Sequence, residues 1–202
     1  TTISAGTLTI DGTGTLEGGS YDGAISNSGT FIYSSTTDQV LSGIISGDGA
    51  LTKQEDSSLT LSGANTYTGA TLISAGVLRA QNDTALGTTA SGTTVASGAA
   101  LELNDLDDGT AIAIGAEALS LAGTGISNSG ALRNIDGDNS YAGAITLTAD
   151  TRINSDSGTL TLNVASGAAI TGTFNLTFGG AGNITVSDAI TTGTGTLTKD
   201  GT

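Results

Sequence analysis

The acidic side chains are the residues of this chain best placed to do chemistry, and their densest group is Asn104-Asp105-Leu106-Asp107-Asp108-Gly109. Carboxylate and amide oxygens converging at a glycine turn are the ligands that a hard cation such as Ca²⁺ takes. The spacing is neither the Asp-x-Asn-x-Asp-Gly loop with its distal Glu nor the glycine-rich nonapeptide of calcium-binding β-rolls. The group is therefore expected to form a solvated turn without metal, and Asp136-Gly137-Asp138-Asn139 is read in the same way. Lys53-Gln54-Glu55-Asp56-Ser57, between two apolar runs, is expected to be a third wet turn.

Other chemistries lack their parts. There is no His to serve as a base near neutral pH and no Cys to serve as a nucleophile. The bases are Lys53, Arg79, Arg133, Arg152 and Lys199, set singly along the chain. Glycoside hydrolysis needs two carboxylates on either side of the scissile bond, which stacked segments could bring together. Yet four Tyr and three Phe, with no Trp, offer little platform for a sugar. Tyr67 and Tyr141 stand at matching positions of two similar peptides, which suits packing better than recognition. Gly12-Thr13-Gly14 and Gly193-Thr194-Gly195 look like pieces of phosphate loops, but no helix follows either, and they are read as turns. Thr-x-Thr pairs begin at residues 7, 13, 66, 146, 159, 171, 192, 194 and 196, too irregularly to set one pair on each turn of a solenoid as an ice-binding face requires. The expectation is a protein without catalytic, cofactor-binding or metal-binding residues.

The elements that carry these residues are short. Leu101-Glu102-Leu103, Ile112-Ala113-Ile114, Leu119-Ser120-Leu121, Ile145-Thr146-Leu147, Leu160-Thr161-Leu162 and Phe174 to Phe178 alternate with period two. Alternation turns Leu, Ile and Phe to one face and Thr, Ser or Glu to a face washed by water. Thirty-two glycines, with Asn, Asp and Ser, punctuate the runs, and there is no Pro. Mean hydropathy is +0.13, which speaks against disorder in spite of 12% charged residues. The net charge of −14 disfavours nucleic acid and anionic membrane as partners. No run of about eighteen apolar residues suggests a membrane-spanning helix.

Whole peptides recur. Ile3-Ser4-Ala5-Gly6 returns at Ile73 to Gly76, Val95 to Ala100 returns at Val164 to Ala169, and Ile25-Ser26-Asn27-Ser28-Gly29 returns at Ile126 to Gly130. Gly63-Ala64-Asn65-Thr66-Tyr67-Thr68-Gly69 has a looser copy at Gly137 to Gly143, and Leu51-Thr52-Lys53 returns at Leu197 to Lys199. Most separations lie near multiples of about 23 residues, a solenoid coil. An antiparallel sandwich would not need such copies. The reading is an all-β, rod-like, right-handed parallel β-helix without helices: one domain over residues 1–202, of roughly nine coils and about 43 Å. Leu59, Leu61, Ile73, Leu101, Leu103, Ile112, Ile114, Leu160 and Leu162 are predicted to lie inside.

The module formed by Leu51-Thr52-Lys53, Leu59 to Gly69 and Ile73 to Leu78 resembles the passenger-associated strand repeat of bacterial autotransporters and related giant surface adhesins. It departs from that pattern at Gln54 to Ser58, where the family commonly has a glycine-rich turn. The resemblance implies a structural or adhesive passenger stalk, extracellular or on the bacterial cell surface, supporting secretion-coupled folding. It implies an unknown surface ligand or self-association, and no membrane insertion of this segment. A carbohydrate-active β-helix or an ice-binding solenoid is the alternative. Both chain ends fall within repeats, so the chain is expected to be an interior piece of a longer protein, with weak head-to-tail stacking.

Overall fold

The computed structural model describes residues 1–105 and 110–201. Every strand pairing among them is parallel, and partners lie one coil apart in sequence. Strands Ser58–Leu61 and Thr71–Ile73 belong to one coil, Val77–Ala80 and Gly92–Val95 to the next, and Ala100–Asn104 and Ala118–Gly123 to the one after. Each is too short to stand alone, so the ladder to the coils above and below holds it. A three-stranded sheet flanks the first coils and a four-stranded one the later coils, where Ala113–Ile114, Asn139–Tyr141, Thr159–Leu162 and Asn183–Val186 stack.

One in-register row gives the period. It runs through Thr9, Ile32, Thr52, Leu72, Thr94, Ser120, Thr146, Thr171 and Thr191. These nine positions make eight steps over 191 − 9 = 182 residues, about 23 per coil. The expected period holds, but the solenoid has about eight turns, not nine, and eight steps span roughly 38 Å. Individual coils vary because their loops differ, from 20 residues between Ile32 and Thr52 to 26 between Thr94 and Ser120.

The inner rows carry the core. Leu59, Leu78, Leu101, Leu132 and Ile153 follow one another on one wall, each essentially without exposure. Leu119, Ile145 and Ile170 do the same on another wall. All nine residues predicted to lie inside are buried, Ile112 being the most exposed at 4%. Phe174 departs from its pattern: it is 37% exposed, because its strand begins only at Leu176. Asn175 instead binds the turns of neighbouring coils, accepting from Thr196 N at 2.9 Å while its own N donates to Asp150 Oδ1 at 2.9 Å.

No α-helix occurs among the described residues, but two single 3-10 turns do, at Glu17–Gly19 and Ile126–Asn128. The second is the repeated Ile-Ser-Asn, whose first copy, Ile25–Asn27, is a strand. The repeated Val-Ala-Ser-Gly-Ala-Ala keeps its turn, with φ of 89° at Gly98 and 90° at Gly167, a left-handed conformation that glycine adopts without a Cβ clash.

Candidate functional site

Four polar groupings interrupt the apolar scheme, and three contradict the wet-surface reading of their sequences. The first is Lys53. Strand Ala50–Lys53 alternates, with Leu51 inward and Thr52 half-exposed, so Lys53 falls on an inner row between Tyr33 and Ile73. It is fully buried instead of lying in a solvated turn. Its Nζ donates to the carbonyls of Gln54 and Glu55, the latter at 2.8 Å, and lies 6.0 Å from the centre of the Tyr33 ring. Glu55 takes φ 61° to curl those carbonyls round the ammonium. Burial lowers the Lys53 pKa to about 8, although the charges of Asp56, Asp38 and Glu55 oppose the fall.

A measurable sign follows. Between pH 8 and pH 10.5 the unfolded lysine is protonated and the folded one is not, so stability rises with pH there and is lost as pH falls through 8. Denaturant midpoints from pH 8 to pH 9.5 should rise for the native chain and stay flat for Lys53→Met. Equal slopes in both would mean that Lys53 is not buried.

The second grouping is an ion-pair ladder. Thr60, Arg79, Glu102 and Arg133 stand in register on successive coils. Arg79 Nη2 lies 2.8 Å from Glu102 Oε2, Arg133 Nη1 lies 3.0 Å from Glu102 Oε1, and Arg133 Nε donates to Asp156 Oδ2 at 2.7 Å. Glu102 does face outward, as alternation requires, but the two arginines cover it to 3% exposure. Arg152 pairs with Asp200 at 2.6 Å. The three arginines that look isolated along the chain are thus used between coils.

The acidic turns form the third. Leu106, Asp107, Asp108 and Gly109 lie outside the described residues. Asp105 is buried at 6% exposure instead of being solvated, because Gly137 in the next coil leaves room for its carboxylate. This packs the first acidic turn against the second, where Asp138 Oδ1 accepts from Thr159 N at 2.9 Å. Among the described residues no three His, Cys, Asp or Glu side chains converge as a metal group would.

The fourth lies inside. Tyr67 and Tyr141 are both fully buried, and Tyr67 Oη shares a hydrogen bond of 2.7 Å with Thr71 Oγ1. Thr71 and Thr93 replace aliphatic residues on an inner row, and Thr93 Oγ1 donates to Glu117 Oε1 at 3.2 Å. Glu117 is 4% exposed. The sequence holds no repeat that marks Thr93 or Glu117, and neither stood out as a candidate.

Outside, Thr94, Ser120, Thr146, Thr171 and Thr191 form one column of hydroxyl residues. Beside it runs a shallow groove lined by Ala116, Ala118, Ala142, Ala144 and Val164. The irregular gaps in sequence conceal this column, since coils of unequal length still bring their residues into register.

Residues 51–80 match the family model of the passenger-associated-transport-repeat. Over 144 residues, 69% of this chain, the sequence is 39% identical to the Adhesin BmaC autotransporter of Brucella suis biovar 1 (strain 1330). The chain spans only 4% of that relative's length. No solved structure matches it. No described helix is long and apolar enough to cross a membrane.

Proposed function

We propose that this chain, a repeat region of the autotransporter passenger type, is a load-bearing stalk whose coil-by-coil folding assists export and whose sides meet a surface ligand. The matched repeat and the adhesin relative support display outside the cell or on its surface, and a structural, non-enzymatic role. The observation that carries the stalk reading is the unbroken parallel register from Thr9 to Thr191, which makes each coil the template for the next. A chain that arrives segment by segment can then gain its stability one coil at a time, since repeat proteins gain stability through nearest-neighbour interfaces. The net charge of −14 keeps the unfolded segment soluble before it stacks.

The test is display of the full-length protein carrying Leu101→Asp, a carboxylate placed at a position with no exposure. Protease-accessible passenger at the cell surface should fall severalfold at equal synthesis. Undiminished display would show that folding of this segment does not assist export.

A further inference from the structure

The interior grouping around Glu117 contains the two buried side-chain atoms that lack a hydrogen-bond partner among the described residues, Glu117 Oε2 and Tyr141 Oη. Their coincidence has a sequence origin. Tyr67 finds its partner four residues on, at Thr71, but four residues after Tyr141 stands Ile145. The second tyrosine of the repeat has therefore lost its local partner. In the coil before it, the backbone of Glu117 packs against Gly143: a Cβ at Gly143 would strike the Glu117 backbone carbonyl and lie 2.9 Å from Tyr141 Cε1.

Thr93 of the preceding coil donates to Glu117, and the titratable groups that feel its charge are Tyr67, two coils before, and Tyr141, in the coil after. Among the described residues no Lys or Arg pairs with it. A buried carboxylate with one hydroxyl donor and no cation is costly, whereas a neutral carboxyl still accepts from Thr93 at Oε1 and leaves no unpaired charge inside.

We propose that Glu117 is a proton-operated latch: its neutral carboxyl, held by Thr93 of the preceding coil, lets the two coils pack tightly, and its ionisation loosens them. Burial raises the Glu117 pKa to about 7, with the Thr93 hydrogen bond opposing. The sign is then fixed. The stability contributed by the neutral carboxyl is complete below the unfolded value near 4.5 and is lost as pH rises through 7. A surface-displayed rod would be tight in mildly acidic surroundings and looser in neutral or alkaline ones.

Two measurements on the folded chain test this. The carboxyl ¹³C shift of Glu117 should titrate near pH 7, and a midpoint at the ordinary value near 4.5 would overturn the proposal. Hydrogen exchange of Leu119, Leu121, Ile145 and Leu147, corrected for intrinsic rates, should show an opening constant about tenfold higher at pH 8 than at pH 6, as one unit of titration corresponds to a factor of ten. Glu117→Gln should abolish that rise. A rise that persists in Glu117→Gln, or no rise in the native chain, would refute the latch. The carboxyl titration needs no variant, so it decides the matter even if Glu117→Gln folds poorly.

Discussion

Asn65→Ala should lower the stability of the rod by about 2–6 kcal/mol, since it leaves two buried backbone groups without partners at about 1–3 kcal/mol each. Asn65 is 2% exposed and clamps three coils. Its Oδ1 accepts from Ile45 N at 2.8 Å in the coil before, and its Nδ2 donates to Ala85 O at 2.7 Å in the coil after. Asn139, at the matching repeat position, accepts from Ile112 N at 2.6 Å but turns its Nδ2 back to Asn134 Oδ1 and Asp136 O within its own coil. The motif Asn-x-Tyr is thus an inter-coil fastener: the amide satisfies the turn backbone while the ring fills the interior. Denaturant titration checks the expectation, with Thr146→Ala on the exposed hydroxyl column as the control, where a change within about 0.5 kcal/mol is expected. A loss no greater at Asn65 than at Thr146 would mean that the clamp is not needed.

The fold was legible because its determinants are local and repeated. Alternation marks every inner row, and a residue such as Leu101 needs only its neighbours Glu102 and Leu103 to reveal its direction. Lys53 shows the same rule at work against chemical intuition. The sequence Leu51-Thr52-Lys53 already points the lysine inward, and its charge made it look like part of a turn. A curled loop of carbonyls makes that position tenable, and no pattern within the strand announces the loop.

What stayed hidden depends on neighbours one coil away. The orientation of Glu102 could be read, but its burial comes from Arg79 and Arg133, 23 and 31 residues distant. The Ile-Ser-Asn-Ser-Gly peptide is a strand where Thr2–Ile3 and Ile45–Ser46 pair with it. Its second copy has Gly125 before it at φ 75°, and there it closes on itself through Ser129 N and Ile126 O at 3.0 Å. Tertiary partners override identical local sequence. The Glu117 latch was hidden for the same reason, because Thr93, which holds its carboxyl, stands one coil away.

The claim on which all of this rests is that the chain is a ladder of interchangeable coils, and removing one whole coil tests it most directly. Val77 and Ala100 are register partners, so deleting residues 77–99, which is 99 − 77 + 1 = 23 residues, joins Gly76 to the residue stacked directly on the deleted strand. Leu101 then stacks on Leu59 and Leu119 on Thr71, inner positions meeting inner positions, and Glu102 keeps Arg133. Deleting only residues 77–87, which is 87 − 77 + 1 = 11 residues, removes half a coil and turns inner residues outward, as any odd slip in a strand does. The measurement is thermal unfolding followed by far-ultraviolet circular dichroism. The whole-coil deletion should keep its β spectrum and a cooperative transition, in a rod shorter by about 4.8 Å. The half-coil deletion should lose the cooperative transition. If both deletions unfold the chain, or both leave it equally intact, the stacked-coil account is contradicted.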